Sequence, residues 1–198
     1  MSYKIKFKDG SVKEFDNLCG ADLCGADLSG EYLCMADLHG AILRGAILCK
    51  ADLEGANLVS ADLRNADLSE ANLYRATISR ADLAGATLTG ANLCGAILGN
   101  ANLHGAIMYR ANLQDAQLTS ANLCCTNLCG TNLRRANLVS ADLHGADLSR
   151  ASLRAACLTG ANLSCADLKG TDLTGALMEW VSLTGTHLNG VVTGKEEQ

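Results

Sequence analysis

The sequence predicts an all-β solenoid, a chain that bends at every short unit and stacks on itself. Two observations carry this. Leucine recurs every fifth residue in one register from Leu18 to Leu188; of those 35 positions 32 are Leu, the others being Ile78, Met108 and Met178. The surrounding places are nearly as regular, with Ala two before the leucine in 28 of 35 units, Asp or Asn between in 22, and 17 of the 20 glycines closing the unit. The unit reads Ala-(Asp/Asn)-Leu-x-Gly/x, as in Ala21-Asp22-Leu23-Cys24-Gly25. A helix turning about 100° per residue would scatter these leucines around its whole circumference. A flat strand of period two would send alternate leucines to opposite faces. Only a chain with a corner in every unit keeps them on one side.

The elements follow in order. In residues 1–15, Tyr3, Ile5 and Phe7 alternate with Lys4, Lys6 and Lys8, and Asp9-Gly10 precedes Val12 and Phe15. Period-two alternation around an Asp-Gly turn is a hairpin signal. Its expected role is to cap the coil end and shield the backbone edge there; the alternative is a strand that binds a partner. In residues 16–190 each unit is a short extended piece. Ala (place one) and Leu (place three) point the same way, the Asx at place two points outward, and places four and five form a corner. Gly suits such a corner because many turns need positive φ. Units of this kind cannot bury a face alone and must stack. Glu31 falls at an inward place, where a lone carboxylate is costly unless a hairpin lysine or an open corner accommodates it. Residues 191–198 form a C-terminal tail. Trp180, Val181, Val191 and Val192 leave the motif and are expected to close the last coil, with a homodimer contact through this end as a second reading.

This run, Asp16 to Gly190 without insertion or deletion over 175 of 198 residues, resembles the pentapeptide-repeat protein family. The resemblance implies a right-handed quadrilateral β-helix, four units per coil, with the central Leu and preceding Ala inside. The 35 units then make about nine coils, a rod on the order of 42 Å long at a strand spacing of roughly 4.8 Å. In that frame residues 20 apart stack in columns.

Function is less constrained. The net charge of −5 supplies no basic surplus to drive counterion release, so direct nucleic-acid binding is not expected. No long apolar run and no charged-then-apolar leader occurs, which predicts a cytoplasmic protein with no membrane contact. Ten cysteines suggest metal or redox chemistry before disulfides. No two are 20 residues apart, so none stack, and seven occupy the tolerant place four; free thiols are the expectation. The one metal candidate among the columns is His104, Cys124 and His144, soft-metal ligands about 4.8 Å apart per coil but without groups to orient them. No Ser-His-Asp, Cys-His or paired-carboxylate arrangement stands out, so neither an enzyme nor a cofactor is predicted.

Asn72, Asn92, Asn112 and Asn132 would form an amide ladder along one face. Asp22, Asp62, Asp82 and Asp142 share one face, and Asp27, Asp67, Asp147 and Asp167 the next, while the other two hold only Asp52, Asp172 and Asp37 at that place. Some members of the family resembled are acidic rods that mimic DNA and bind DNA gyrase, protecting it from quinolones. Here Arg44, Arg64, Arg80, Arg110, Arg134, Arg135, Arg150 and Arg154 dilute the pattern. No loop interrupts the register, and too few residues follow Gly190 for the C-terminal dimer helix such members carry. Ile42, Ile47, Ile97 and Ile107 stand at the outward Asx place, as scattered surface residues or as a small contact patch. The reading is a non-enzymatic structural or protein-interaction scaffold with an unknown protein partner; the alternative is a DNA mimic acting on gyrase or another DNA-binding enzyme.

Overall fold

The computed structural model describes residues 3–194. Strand β1 (Tyr3–Phe7) pairs antiparallel with β2 (Val12–Phe15), in register Tyr3↔Phe15 to Lys6↔Val12, around a turn in which Gly10 adopts φ 85°. The other edge of β1 pairs antiparallel with β3 (Ala26–Asp27), giving the sheet order β2-β1-β3. The alternation of β1 sorts its side chains: Ile5 and Phe7 are buried in the core that runs through the repeats, while Lys8 Nζ donates to the Gly45 carbonyl at 2.7 Å and Lys13 sits over the Phe7 ring.

From Asp22 onward each place-two residue bridges, in parallel, the residue 20 further on, beginning with Asp22↔Ile42 and ending with Asp172↔Val192. Four units therefore make one coil. Four of the five backbone N–H groups of a unit find backbone carbonyls, three of them in neighbouring coils. The place-two N–H donates to the place-one carbonyl of the coil before (Ile42 to Ala21, 2.9 Å). The place-three N–H donates to the place-two carbonyl of the coil after (Leu23 to Ile42, 2.8 Å), and the place-five N–H to the place-four carbonyl of that coil (Gly25 to Arg44, 2.9 Å). The place-one N–H closes the corner on the leucine three residues back (Ala26 to Leu23, 3.0 Å).

One donor is left over, the N–H of place four. The Asp or Asn two residues earlier takes it, at every Asx of place two from Asp22 to Asp172. This Asx turn is the physical reason for the residue type at that place: a carboxylate or amide oxygen on one methylene reaches the N–H two residues on. The corner itself is a type II turn, with positive φ at its third residue. Every place-five residue from Gly20 to Gly190 has φ between 54° and 71°, including 18 that are not glycine. An L-residue there carries a steric penalty of roughly 1–2 kcal/mol, which the inter-coil bonds and the buried leucine of each unit offset.

The interior is the place-three column of each side, buried without a break from Leu18 to Leu173, with buried alanine or threonine beside it from Ala26 to Thr171 except at Glu31. Thr126, Thr131 and Thr171 take the alanine place and are equally buried. Their hydroxyls donate to the carbonyls of Leu103, Leu128 and Leu148 at 2.7–2.9 Å, so the added oxygen is satisfied. Glu31, expected inward, is exposed. It begins its column, and β1 covers the Ala26 side of that coil rather than the Glu31 side, so nothing encloses it. At the other end Val181 and Val191 pack against the core edge, but Trp180 does not close the coil: it stands at a corner and is 87% exposed. The tail begins within the ladder, because Val192 pairs with Asp172, and its residues 195–198 lie outside the described residues.

Candidate functional site

The two acidic columns lie where the frame puts them, on the adjacent Asp22 and Asp27 sides. Their carboxylates are engaged locally. Asp62 accepts Arg64 Nε and an Arg64 terminal nitrogen at 2.8 and 2.7 Å, and Arg44 Nε at 2.8 Å; Arg64 also lies 3.5 Å from Asp82. The Arg64 hydrogen bonds hold the Asp62 carboxyl below the ordinary carboxylate value. Asp82 and Asp142 each accept the amide of the Asn one coil on, Asn102 and Asn162, at 2.9 Å. Asp27 and Asp67 accept the hydroxyls of Ser29 and Ser69. Asp147 and Asp167 accept their Asx-turn N–H groups at 2.9 Å.

The amide ladder continues beyond its asparagines. Asn132 donates to Asn112 at 2.9 Å, Asn112 to Asn92 at 3.2 Å, Asn92 to Asn72 at 3.1 Å, and Asn72 to Asp52 at 2.9 Å. A carboxylate suits the N-terminal end of such a ladder because it accepts and need not donate. Spacings other than 20 matter as well. A place-four side chain reaches the place-two group of the next coil, 18 residues on, in Arg44–Asp62, Arg64–Asp82 and Arg154–Asp172. Columns of 20 alone miss these pairs; adding the 18-residue diagonal to the frame finds them.

His104, Cys124 and His144 occupy successive coils, but Cys124 and His144 turn to other partners. His144 Nδ1 lies 3.0 Å from Ser164 Oγ. Burial, and then the neighbouring Asp142, raises the Cys124 thiol to about 11, so the thiolate that binds metals is scarce at neutral pH. No cluster of three His, Cys, Asp or Glu able to hold a metal ion occurs among the described residues. All ten cysteines are free.

The C-terminal end, where the sequence offered either closure of the coil or a homodimer contact, is open among the described residues. Leu183 and Leu188 keep the motif yet are 39% and 50% exposed, and Leu177 and Val192 are exposed beside them. They and their neighbours leave an open depression of about 600 Å³, lined by Leu173, Gly175, Ala176, Met178, Leu183, Leu188, Val191 and Thr193, with no titratable group. The Leu183 and Leu188 N–H groups, whose counterparts from Leu23 to Leu173 donate to the next coil, find no backbone acceptor among the described residues.

The pentapeptide-repeat family profile matches in eight copies that together span residues 17–190. No curated protein matches the chain in sequence. Among solved structures, HetL, a pentapeptide-repeat protein involved in heterocyst differentiation regulation in the cyanobacterium Nostoc, is 33% identical over 91% of this chain and 92% of its own, with a TM-score of 0.41. Two trypsin-treated forms of QnrB1, a plasmid-mediated fluoroquinolone resistance protein, share the fold at TM-scores of 0.59 and 0.61. They are 16% and 17% identical over 81% of this chain and 88% and 85% of theirs. No helix among the described residues is long and apolar enough to cross a membrane. The unbroken run of family repeats over most of its length makes this chain a member of the pentapeptide-repeat family, with that family's right-handed β-helix fold.

Proposed function

We propose that this protein is a non-enzymatic, cytoplasmic interaction rod, and that its first partner is a second copy met through the open end of the last coil. The observation behind this is that end itself, where half-exposed Leu183 and Leu188 lie beside their own N–H groups, which have no backbone acceptor among the described residues. An apolar surface joined to a free strand edge is a strong driver of association. Two such ends related by a two-fold axis would cover both apolar surfaces and pair both edges. In this reading the hairpin caps the opposite end of a rod of about nine coils, built from the 35 units, so association stops at the dimer and leaves the long sides for other proteins. Ten free thiols suit a reducing compartment. Sedimentation over roughly a hundredfold concentration range tests the contact. A mass near twice 20.6 kDa is expected, returning to 20.6 kDa in a Leu183→Asp, Leu188→Asp variant of unchanged circular dichroism. A wild-type mass of 20.6 kDa at every concentration removes the reading.

A second reading, a DNA mimic that binds gyrase, draws on the Asp22, Asp62, Asp82, Asp142 and Asp27, Asp67, Asp147, Asp167 columns. Against it, Arg44 and Arg64 neutralise the stretch around Asp62 and Asp82. A supercoiling assay with and without quinolone decides: neither inhibition nor protection at micromolar protein eliminates the mimic.

A further inference from the structure

Between residues 92 and 194 the chain has six lysines and arginines: Arg110, Arg134, Arg135, Arg150, Arg154 and Lys169. In the four-sided frame all six stand at the two corners flanking one side, the side whose floor is Asn92, Asn112, Asn132, Ser152 and Asp172. The other two corners of this half have none. The acidic groups are arranged oppositely: Asp142, Asp147, Asp167 and Glu179 lie on other sides or corners, and only Asp115 and Asp172 share the basic one. Arg135 takes Asp115 with two bonds of 2.6 and 2.7 Å, and Arg154 meets Asp172 at 3.2 Å. Arg110, Arg134, Arg150 and Lys169 are exposed and have no carboxylate partner among the described residues. Four cations without a carboxylate partner thus frame a floor of Asn112 and Asn132, which donate along their own ladder, Ser152, and Asp172, whose carboxylate is taken by Arg154.

We propose that this side of the rod binds a short, extended acidic segment of a partner protein. Charge complementarity selects the sign: guanidinium groups on both edges present paired N–H donors that match carboxylates bidentately. Dimensions select the length. Arg110 and Lys169 are three coils apart, about 14 Å at strand spacing, which an extended chain crosses in four to five residues. A single-stranded nucleic acid fits less well. Such binding combines cations with aromatic platforms for the bases, whereas the one aromatic ring at these two corners between residues 92 and 194, Tyr109, is covered by the Arg110 guanidinium at 4.9 Å.

The test is fluorescence anisotropy of a labelled hexaglutamate peptide against the full chain at low salt. Binding is expected and should weaken markedly at raised salt. An Arg134→Glu, Arg150→Glu variant should lose at least tenfold in affinity with unchanged circular dichroism, while Arg80→Glu, at a corner away from this side, should change it less than twofold. If the double variant does not fold, Lys169→Ala with Arg150→Ala replaces it, with a threefold or greater loss expected. Absence of hexaglutamate binding, equal losses for the Arg80 and double variants, or tighter binding of a six-residue oligothymidylate each overturns the proposal. Salt-sensitive self-association abolished by the double variant assigns the side to a second copy and overturns it too. The dimer variant Leu183→Asp, Leu188→Asp should bind the peptide normally, so the two readings fail independently.

Discussion

Truncating one interior leucine tests the energetics of the coil directly, and Leu103 is the position to choose. It is fully buried, stacked between Leu83 and Leu123, with Ala101 beside it. Leu103→Ala removes roughly three methylene-sized groups, a transfer loss of about 2.4 kcal/mol at about 0.8 kcal/mol each. The void left cannot close easily. Coil spacing here is set by backbone bonds such as Leu103 to Asn122 at 2.7 Å and Asn122 to Ala101 at 3.0 Å, and these would have to break for the neighbouring coils to move inward. A residual cavity of about 80 Å³ at roughly 24 cal/mol per Å³ adds about 2 kcal/mol, for a total near 4 kcal/mol. The same change at Leu188, half exposed, should cost about 1 kcal/mol. Urea unfolding should be followed both by far-ultraviolet dichroism, which averages all coils, and by the fluorescence of Trp180, the single tryptophan, which reports the last ones. In a nearest-neighbour stack the Leu103 variant should split the two transitions, because the weakened interface lies mid-rod. A loss below about 1.5 kcal/mol at Leu103, or equal losses at the two sites, refutes the claim that the coil is too rigid to collapse onto a void.

Three further outcomes follow from local geometry. Asn112→Ala removes the bonds to Asn92, Asn132 and the Gln114 N–H, and should cost about 1–3 kcal/mol, lowering the melting temperature by several degrees; Asn112→Asp keeps the two acceptor bonds and should cost less. Ala155 adopts φ 55° with its side chain exposed, so Ala155→Gly should stabilise by about 0.5–1 kcal/mol, whereas the same change at buried Ala156 should destabilise, the pair being compared by urea midpoint. Hydrogen bonds from Arg135 and then Gln114 bring the Asp115 carboxyl to about 2, from an ordinary 3.8. A carboxylate depressed in the folded state stabilises above its unfolded value and loses that contribution as pH falls toward the folded value. The effect is modest because the pair is solvent-exposed. Carboxyl carbon shifts should titrate near 2 in the wild type and higher, toward the ordinary value, in Arg135→Met, where the Gln114 hydrogen bond remains; no change would show the ion pair absent in solution.

The core was legible because leucine and alanine have only one place to go once the period is known. The reason for Asx at place two was not. Polarity explains an outward residue, but only the leftover place-four N–H explains why Asp and Asn outnumber Ser, Thr and Gln there, and that donor becomes visible only when the other four are assigned. The corners were half legible: glycine marked positive φ, yet Arg75, Arg110 and Trp180 adopt the same conformation without announcing it. The C-terminal end was half legible: Trp180, Val181, Val191 and Val192 leave the motif and marked it as either closed or a contact, but not which leucines stand exposed there. Leu183 and Leu188 match the motif as well as Leu103 does, yet they are 39% and 50% exposed where Leu103 is fully buried.

That separation between what the core fixes and what the surface leaves free has a consequence for function. Places one and three are committed to the interior and place two to the Asx turn, so selection for a partner can act chiefly on places four and five. All six cations of the C-terminal half stand in those two places. Four corners were available to them, and they occupy only the two that border one side. Nothing in folding demands this: the turn tolerates Arg at Arg80 or Cys at Cys165 on the other corners with the same φ near 60°. Stability would be served better by spreading the cations among Asp142, Asp147 and Asp167, as Arg44 and Arg64 are placed beside Asp62 and Asp82 in the N-terminal half. A charge arrangement that forgoes nearby neutralisation to collect on a single side is best explained by something acidic that binds there.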